Sequence, residues 1–161
     1  MITLTDMPNT LHKSERLCRK KAIEKLFAGG ARSFSLFPLR VVYLPMEEVE
    51  SSASILVSVS KRRFKRAVKR NRVKRQIREA YRLHKHHLLQ VLQEHGVHMG
   101  VAFIYLADEL METAVIEERV KTALHRLAER VPAAAHLPAN QSVTQSEAAP
   151  AERFIHTPQQ S

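Results

Sequence analysis

Apolar residues recur along this chain with two different periods, and the switches between them outline its elements. In "SERLCRKKAIEKLFA" (14–28) Ala22, Ile23, Leu26 and Phe27 share one helical face while Lys20, Lys21 and Lys25 lie outside it, and Gly29-Gly30 supplies a stop. "SFSLFPLRVVYL" (33–44) alternates over Leu39, Val41 and Tyr43 and contains Pro38, which fits an edge strand or a strand start. An acidic loop, "MEEVESS", follows Pro45. "ASILVSVS" (53–60) sets Ile55, Val57 and Val59 against small polar residues, the pattern of a strand with one buried face. From Ala67 to Glu94 no Gly or Pro intervenes, and Val73, Ile77, Ala80, Tyr81, His84 and Leu88 form one apolar stripe, which predicts a single long helix. "MGVAFIYLA" (99–107) is apolar almost throughout, as an interior strand covered on both faces would be. Ile116, Val120, Ala123, Leu124, Leu127 and Val131 then repeat at helical spacing and predict a closing helix over 112–131.

After Pro132 the chain turns to Ala, Pro, Gln, Ser and Thr with no periodic face, which predicts a disordered tail over 132–161. Residues 1–131 therefore read as one α+β domain, an α/β sandwich with one mixed sheet packed by helices. A length of 161 residues, 44% apolar, is enough for one modest core and too short for two.

Charge changes the picture most. The net charge is +10 with a pI near 10.2, the balance of a protein that meets a polyanion. Thirteen of the 26 bases fall within 61–85, and the tail contributes only Arg153. On the expected helix, Asn71, Lys74, Arg75, Arg78, Arg82 and Lys85 share one arc beside the apolar stripe, so the helix can dock on a sheet and still present a cationic ridge. Like charges at this spacing repel, by a few tenths of a kcal/mol (about 0.2–0.5) per pair, and the near absence of acids points to a ligand. A merely solvated face would mix its signs. A membrane-surface helix would leave its apolar face free, whereas two strands here need that face as cover. A basic-zipper reader of DNA needs downstream heptads, which Gly96 and a strand cut off.

Other chemistry is thin. His84, His86, His87, His95 and His98 are dense but lack metalloprotease spacing, and the lone Cys18 can complete neither a disulfide nor a multi-cysteine zinc site. We read the histidines as surface or core residues and Cys18 as structural or incidental. No phosphate-binding Gly-rich loop or nucleophile elbow occurs. Asp108, Glu109 and Glu112 sit in a plain helix lead-in rather than in a nuclease's paired arrangement. No membrane span or signal-peptide core is found, and a cytoplasmic location is expected.

The stretch "SVSKRRFKRAVKRNRVKRQIREAYR" (58–82) resembles the signature of the bacterial ribonuclease P protein component: a strand ending Ser-Val-Ser-Lys, then a helix with Arg70, Asn71, Arg72, Lys74, Arg75, Arg78 and Glu79 in the motif positions. The order of elements over 13–131 agrees as well. The resemblance implies a ribosomal protein S5 domain 2-like fold with a left-handed βαβ crossover, where the general rule would give a right-handed one. It implies a protein subunit with no catalytic residue or bound cofactor of its own: a catalytic RNA subunit, requiring magnesium, removes the 5′ leader of precursor tRNA. The protein would bind that RNA and the leader, with no obligate protein partner. RNA contacts would fall to Lys61, Arg62, Arg70, Asn71, Arg72, Lys74, Arg75, Arg78 and Arg82. The leader would enter a cleft between the first helix and the sheet, bordered by Lys20, Ile23 and Phe27, with Phe37 or Tyr43 as a further stacking surface. Ile23 stands where the family usually has an aromatic, which leaves Phe27 as the better stacking residue. The other reading is a general structured-RNA or ribosome-associated binding protein with the same helix and no role in tRNA cleavage.

Overall fold

The computed structural model describes residues 9–135. Four strands form one mixed sheet in the order β1-β2-β4-β3: β1 (Arg32–Leu36), β2 (Leu39–Pro45), β3 (Ala53–Val59) and β4 (Met99–Tyr105). β1 and β2 make an antiparallel hairpin, β2 continues antiparallel onto β4, and β3 runs parallel to β4. Helices α1 (Lys20–Phe27), α2 (Ala67–His84), α3 (His86–His95) and α4 (Thr113–Ala135) complete the fold.

The period of two divides the sheet into faces. Val41 and Tyr43 of β2, Ile55 and Val57 of β3, and Val101 and Phe103 of β4 are buried on one face, in a single core with Ile77, Tyr81, Leu88, Leu92, Ile116, Val120 and Leu127 from α2, α3 and α4. The intervening positions, Val42, Leu44, Leu56 and Ala102, meet Leu17, Ala22, Leu26, Met46 and Val49 in a second cluster under α1. That is why β4 is apolar on both faces. Gly100 leaves room there for Met46, whose Cε would lie 2.8 Å from any added Cβ.

Three expected elements take a different form. The stretch 33–44 is two strands rather than one: Leu36 pairs with Leu39 across a two-residue connection, Phe37-Pro38, whose peptide bond is cis. β2, which begins just after Pro38, is interior, and β1 is one of the sheet's two edge strands, β3 being the other. The first helix begins at Lys20 rather than near Ser14, because the chain before it is drawn out along β3: Arg16 bridges Ile55, and Leu17 N–H donates to the Ile55 carbonyl at 2.9 Å. The long helix is interrupted at Lys85, whose side chain turns inward to the Glu15 carboxylate at 2.6 Å and the Thr10 carbonyl. Lys85 is thus removed from the cationic ridge.

Gly96, at φ 62°, closes α3 in the left-handed conformation, and Val97 N–H reaches back to the Leu92 carbonyl at 3.0 Å. α4 continues through Pro132 to Ala135, four residues past the expected domain boundary at 131; a proline's fixed φ is compatible with helix, and it removes one donor near the end of the ladder. The rest of the expected tail, 136–161, lies outside the described residues.

Candidate nucleic-acid interface

The basic segment begins in the loop after β3. Ser60 folds it: its carbonyl accepts from Arg63 N–H at 3.1 Å and Phe64 N–H at 3.3 Å, and its hydroxyl from Arg62 N–H at 3.1 Å. Phe64 is buried against Tyr105, with ring centroids 6.0 Å apart, and anchors the loop to the sheet. Lys61, Arg62, Lys65 and Arg66 are left exposed around that anchor. Arg70, the first arginine of the motif, points back: its Nη1 donates to the Phe64 carbonyl at 2.7 Å and the Lys65 carbonyl at 2.8 Å.

Along α2, Asn71, Arg72 and Arg75 are exposed, and Lys74 and Arg78 are half-buried beside the apolar stripe. Of the bases in 61–85, only Arg63, Arg82 and Lys85 pair with a carboxylate among the described residues. Arg63 reaches Asp108 at 2.6 Å. Arg82 holds Glu79 through two bonds of 2.9 and 2.5 Å and also donates to the Asn9 carbonyl at 2.5 Å. The Arg82 guanidinium keeps the Glu79 carboxyl below the usual carboxylate range. Arg82 is therefore partly committed to the fold, whereas Arg72, Lys74, Arg75 and Arg78 have no carboxylate partner among the described residues. The N-terminal strap, residues 9–17, contributes Leu11 and Arg16 to a groove along this face that Asn71, Arg75, Arg78 and exposed Val68 also line.

The second surface lies under α1. Ala22 and Leu26 bury against the sheet, and on one flank Lys25 pairs with Glu48 at 2.7 Å. Arg19, just before the helix, pairs with Glu50 of the same acidic loop. Ile23, half-buried, and Phe27, 49% exposed, lie on the other flank, with Lys20 exposed beside them. The strand positions of this face that α1 leaves partly open are Val42, Leu56, Ile104 and Arg40, a shallow apolar floor with one cation. These floor residues were not foreseen; the signal for them was the apolar intervening positions of β2 and β4, which imply a second covered face. Phe37 stands at the hairpin tip, 61% exposed.

Tyr43 does not belong to this surface. It is buried on the opposite face, edge-on to Phe34 at 6.1 Å, and accepts a hydrogen bond from Arg130 Nη1 of α4 at 3.2 Å. Its parity on β2, shared with Leu39 and Val41, puts it with the core.

Among the described residues no group of three or more His, Cys, Asp or Glu could hold a metal ion. His84 bonds Glu117 at 2.8 Å, His86 meets Asn9, and His87 packs on His125 at 5.1 Å. Cys18 is exposed. No helix among the described residues is long and apolar enough to cross a membrane.

The profile of the Ribonuclease P family matches residues 11–130, the span that contains both surfaces. The chain belongs to the ribonuclease P protein family. It is 48% identical over 126 residues to the ribonuclease P protein component of Porphyromonas gingivalis, an alignment that covers 78% of this chain and 91% of that one. The ribonuclease P protein component of Chlorobaculum tepidum is 38% identical over 109 residues, covering 62% and 69%. The ribonuclease P protein fold is shared as well. The RNase P protein of Thermotoga maritima superposes with a TM-score of 0.55 at 19% identity over 70% of this chain and 96% of that one. The Staphylococcus aureus protein gives 0.52 at 21% over 74% and 96%. The α+β architecture read from the sequence is the fold of the family.

Proposed function

We propose that this chain is the protein subunit of ribonuclease P, which binds the catalytic RNA and the 5′ leader of precursor tRNA and so assists removal of the leader. One observation carries the reading: the cations of the 60–66 loop and of α2 stand together without carboxylate partners among the described residues, apart from Arg63 and Arg82, beside a separate open floor rimmed by Phe27. The first surface suits a folded RNA backbone. The second suits an extended strand that lays a base on an aromatic ring. In this reading the RNA subunit and its magnesium perform the hydrolysis in the cytoplasm. The protein's cations lower the self-repulsion of the two RNAs and with it the demand for divalent ions.

The test is cleavage of a 5′-extended precursor tRNA by a bacterial ribonuclease P RNA at limiting magnesium, with and without the chain. Stimulation that an Arg72→Ala/Lys74→Ala/Arg75→Ala variant loses while still folded supports the assignment. Folded protein that binds RNA yet leaves cleavage unchanged would make it a general structured-RNA or ribosome-associated binder.

A further inference from the structure

Arg16 is exposed and has no carboxylate partner among the described residues, yet its backbone is among the most firmly held in the N-terminal strap. Its N–H donates to the Lys13 carbonyl at 3.1 Å, it bridges Ile55 of β3, and its neighbours Glu15 and Leu17 are each 5% exposed. The Glu15 carboxylate meets Lys85 Nζ through one oxygen and accepts from His12 N–H through the other at 2.8 Å. Lys85 donates onward to the Thr10 carbonyl, and Arg82 to that of Asn9. A buried ion pair adds little net stability over an apolar pair of similar size, but it accepts only one register. Here it sets the strap against the junction of α2 and α3.

That register leaves Arg16 bordering two concavities at once. On one side is the α2 groove, whose lining it shares with Arg75 and Arg78. On the other is a hollow of about 420 Å³ between the strap and the acidic loop, bordered by Lys13, Ser54, Glu48 and Glu50. The two acids there are already paired with Lys25 and Arg19, so Lys13 and Arg16 remain its unneutralised charges. Gathering unpaired arginines along one groove, whose acid Glu79 is held by Arg82, is unfavourable until an anion joins them.

We infer that Arg16 is a phosphate-binding residue at the crossing between the two concavities, positioned by the buried Glu15–Lys85 pair, and that a single RNA strand passes over it from the α2 groove toward the α1 side. The inference rests on the RNA-binding reading above, and Arg72 serves as its control. The experiment measures binding of a labelled single-stranded leader RNA, and of precursor tRNA, to the full chain across a salt series. Arg16→Ala should melt with the parent and lower the slope of log affinity against log salt by about 0.7 on single-stranded RNA, the value for one lost contact. Arg16→Lys should restore the slope. In a Glu15→Gln background Arg16→Ala should change affinity less than it does in the parent, because the side chain is no longer held in place. If the parent binds no RNA, the proposed function and this inference fail together. If Arg72→Ala weakens binding while Arg16→Ala matches the parent, the inference alone is overturned. Should Glu15→Gln not fold, the Arg16 series still decides it.

Discussion

Arg70 Nη1 donates to the Phe64 carbonyl at 2.7 Å, so the first arginine of the basic motif fastens the loop that precedes its own helix. Arg72, two positions on, is exposed and has no side-chain hydrogen bond or ion pair among the described residues. The two should behave differently when truncated. Arg70→Ala frees two loop carbonyls and should cost about 1–2 kcal/mol of stability, with weaker RNA binding as the loop cations lose their anchor. Arg72→Ala should leave the melting temperature in place and lower affinity and salt slope alone. Thermal melts alongside a salt titration distinguish them; equal melting temperatures for the two variants would remove the fastening role.

Glu15 and Lys85 should reveal their burial in a double-mutant comparison. Either Glu15→Leu or Lys85→Met alone strands the other charge and should cost about 3–5 kcal/mol. The two together should recover most of that loss, as urea midpoints would show. A double variant no better than the singles would mean that the carbonyl and amide partners of this pair matter more than its charges.

Exposure separates the aromatic residues. Phe27→Ala and Phe37→Ala should leave stability near that of the parent, and each that stacks on a leader base should weaken leader binding by about 1–3 kcal/mol. Tyr43→Ala should instead destabilise by about 3–5 kcal/mol through the cavity it opens beneath Arg130 and Phe34. Leader affinity measured with the mature tRNA as reference isolates the stacking contribution.

The Tyr81 hydroxyl is buried with no hydrogen-bond partner among the described residues, and burial first, then the nearby Glu15 charge, pushes its pKa well above the ordinary tyrosine value. A group whose folded pKa is raised lends stability that is fully present below its unfolded pKa, about 10 for tyrosine, and is lost as pH rises through the folded value. Tyr81→Phe removes the stranded hydroxyl and should raise stability at neutral pH by about 1 kcal/mol. It should also move alkaline unfolding to higher pH. A lower melting temperature at pH 7 would show that the hydroxyl has a partner.

Much of this protein was legible in its residues. The stripe of Val73, Ile77, Ala80 and Tyr81, the alternation in β3, the doubly apolar β4 and the core positions of α4 are all buried as expected, because side-chain period reports burial without reference to any distant partner. The crowd of bases on α2 was equally visible, since a helix displays its own sequence on its own surface.

What required the tertiary structure was every choice of partner. The hairpin at Phe37-Pro38 arises because Phe34 and Leu36 align with Val41 and Leu39, which makes two short strands better paired than one long one. The withdrawal of the Lys85 side chain from the ridge depends on a carboxylate 70 positions away, and the extended run through Arg16 on the free edge of β3. Tyr43 and Val42 are neighbours in sequence yet serve opposite faces of the sheet, one in the core under α4 and the other on the floor beside α1. By itself the sequence determined which elements form and where their charge lies, because those follow from local period and composition. Only the tertiary structure decided which cations stay unpaired and which are held by the fold, because that depends on the acids and carbonyls that other segments bring to them.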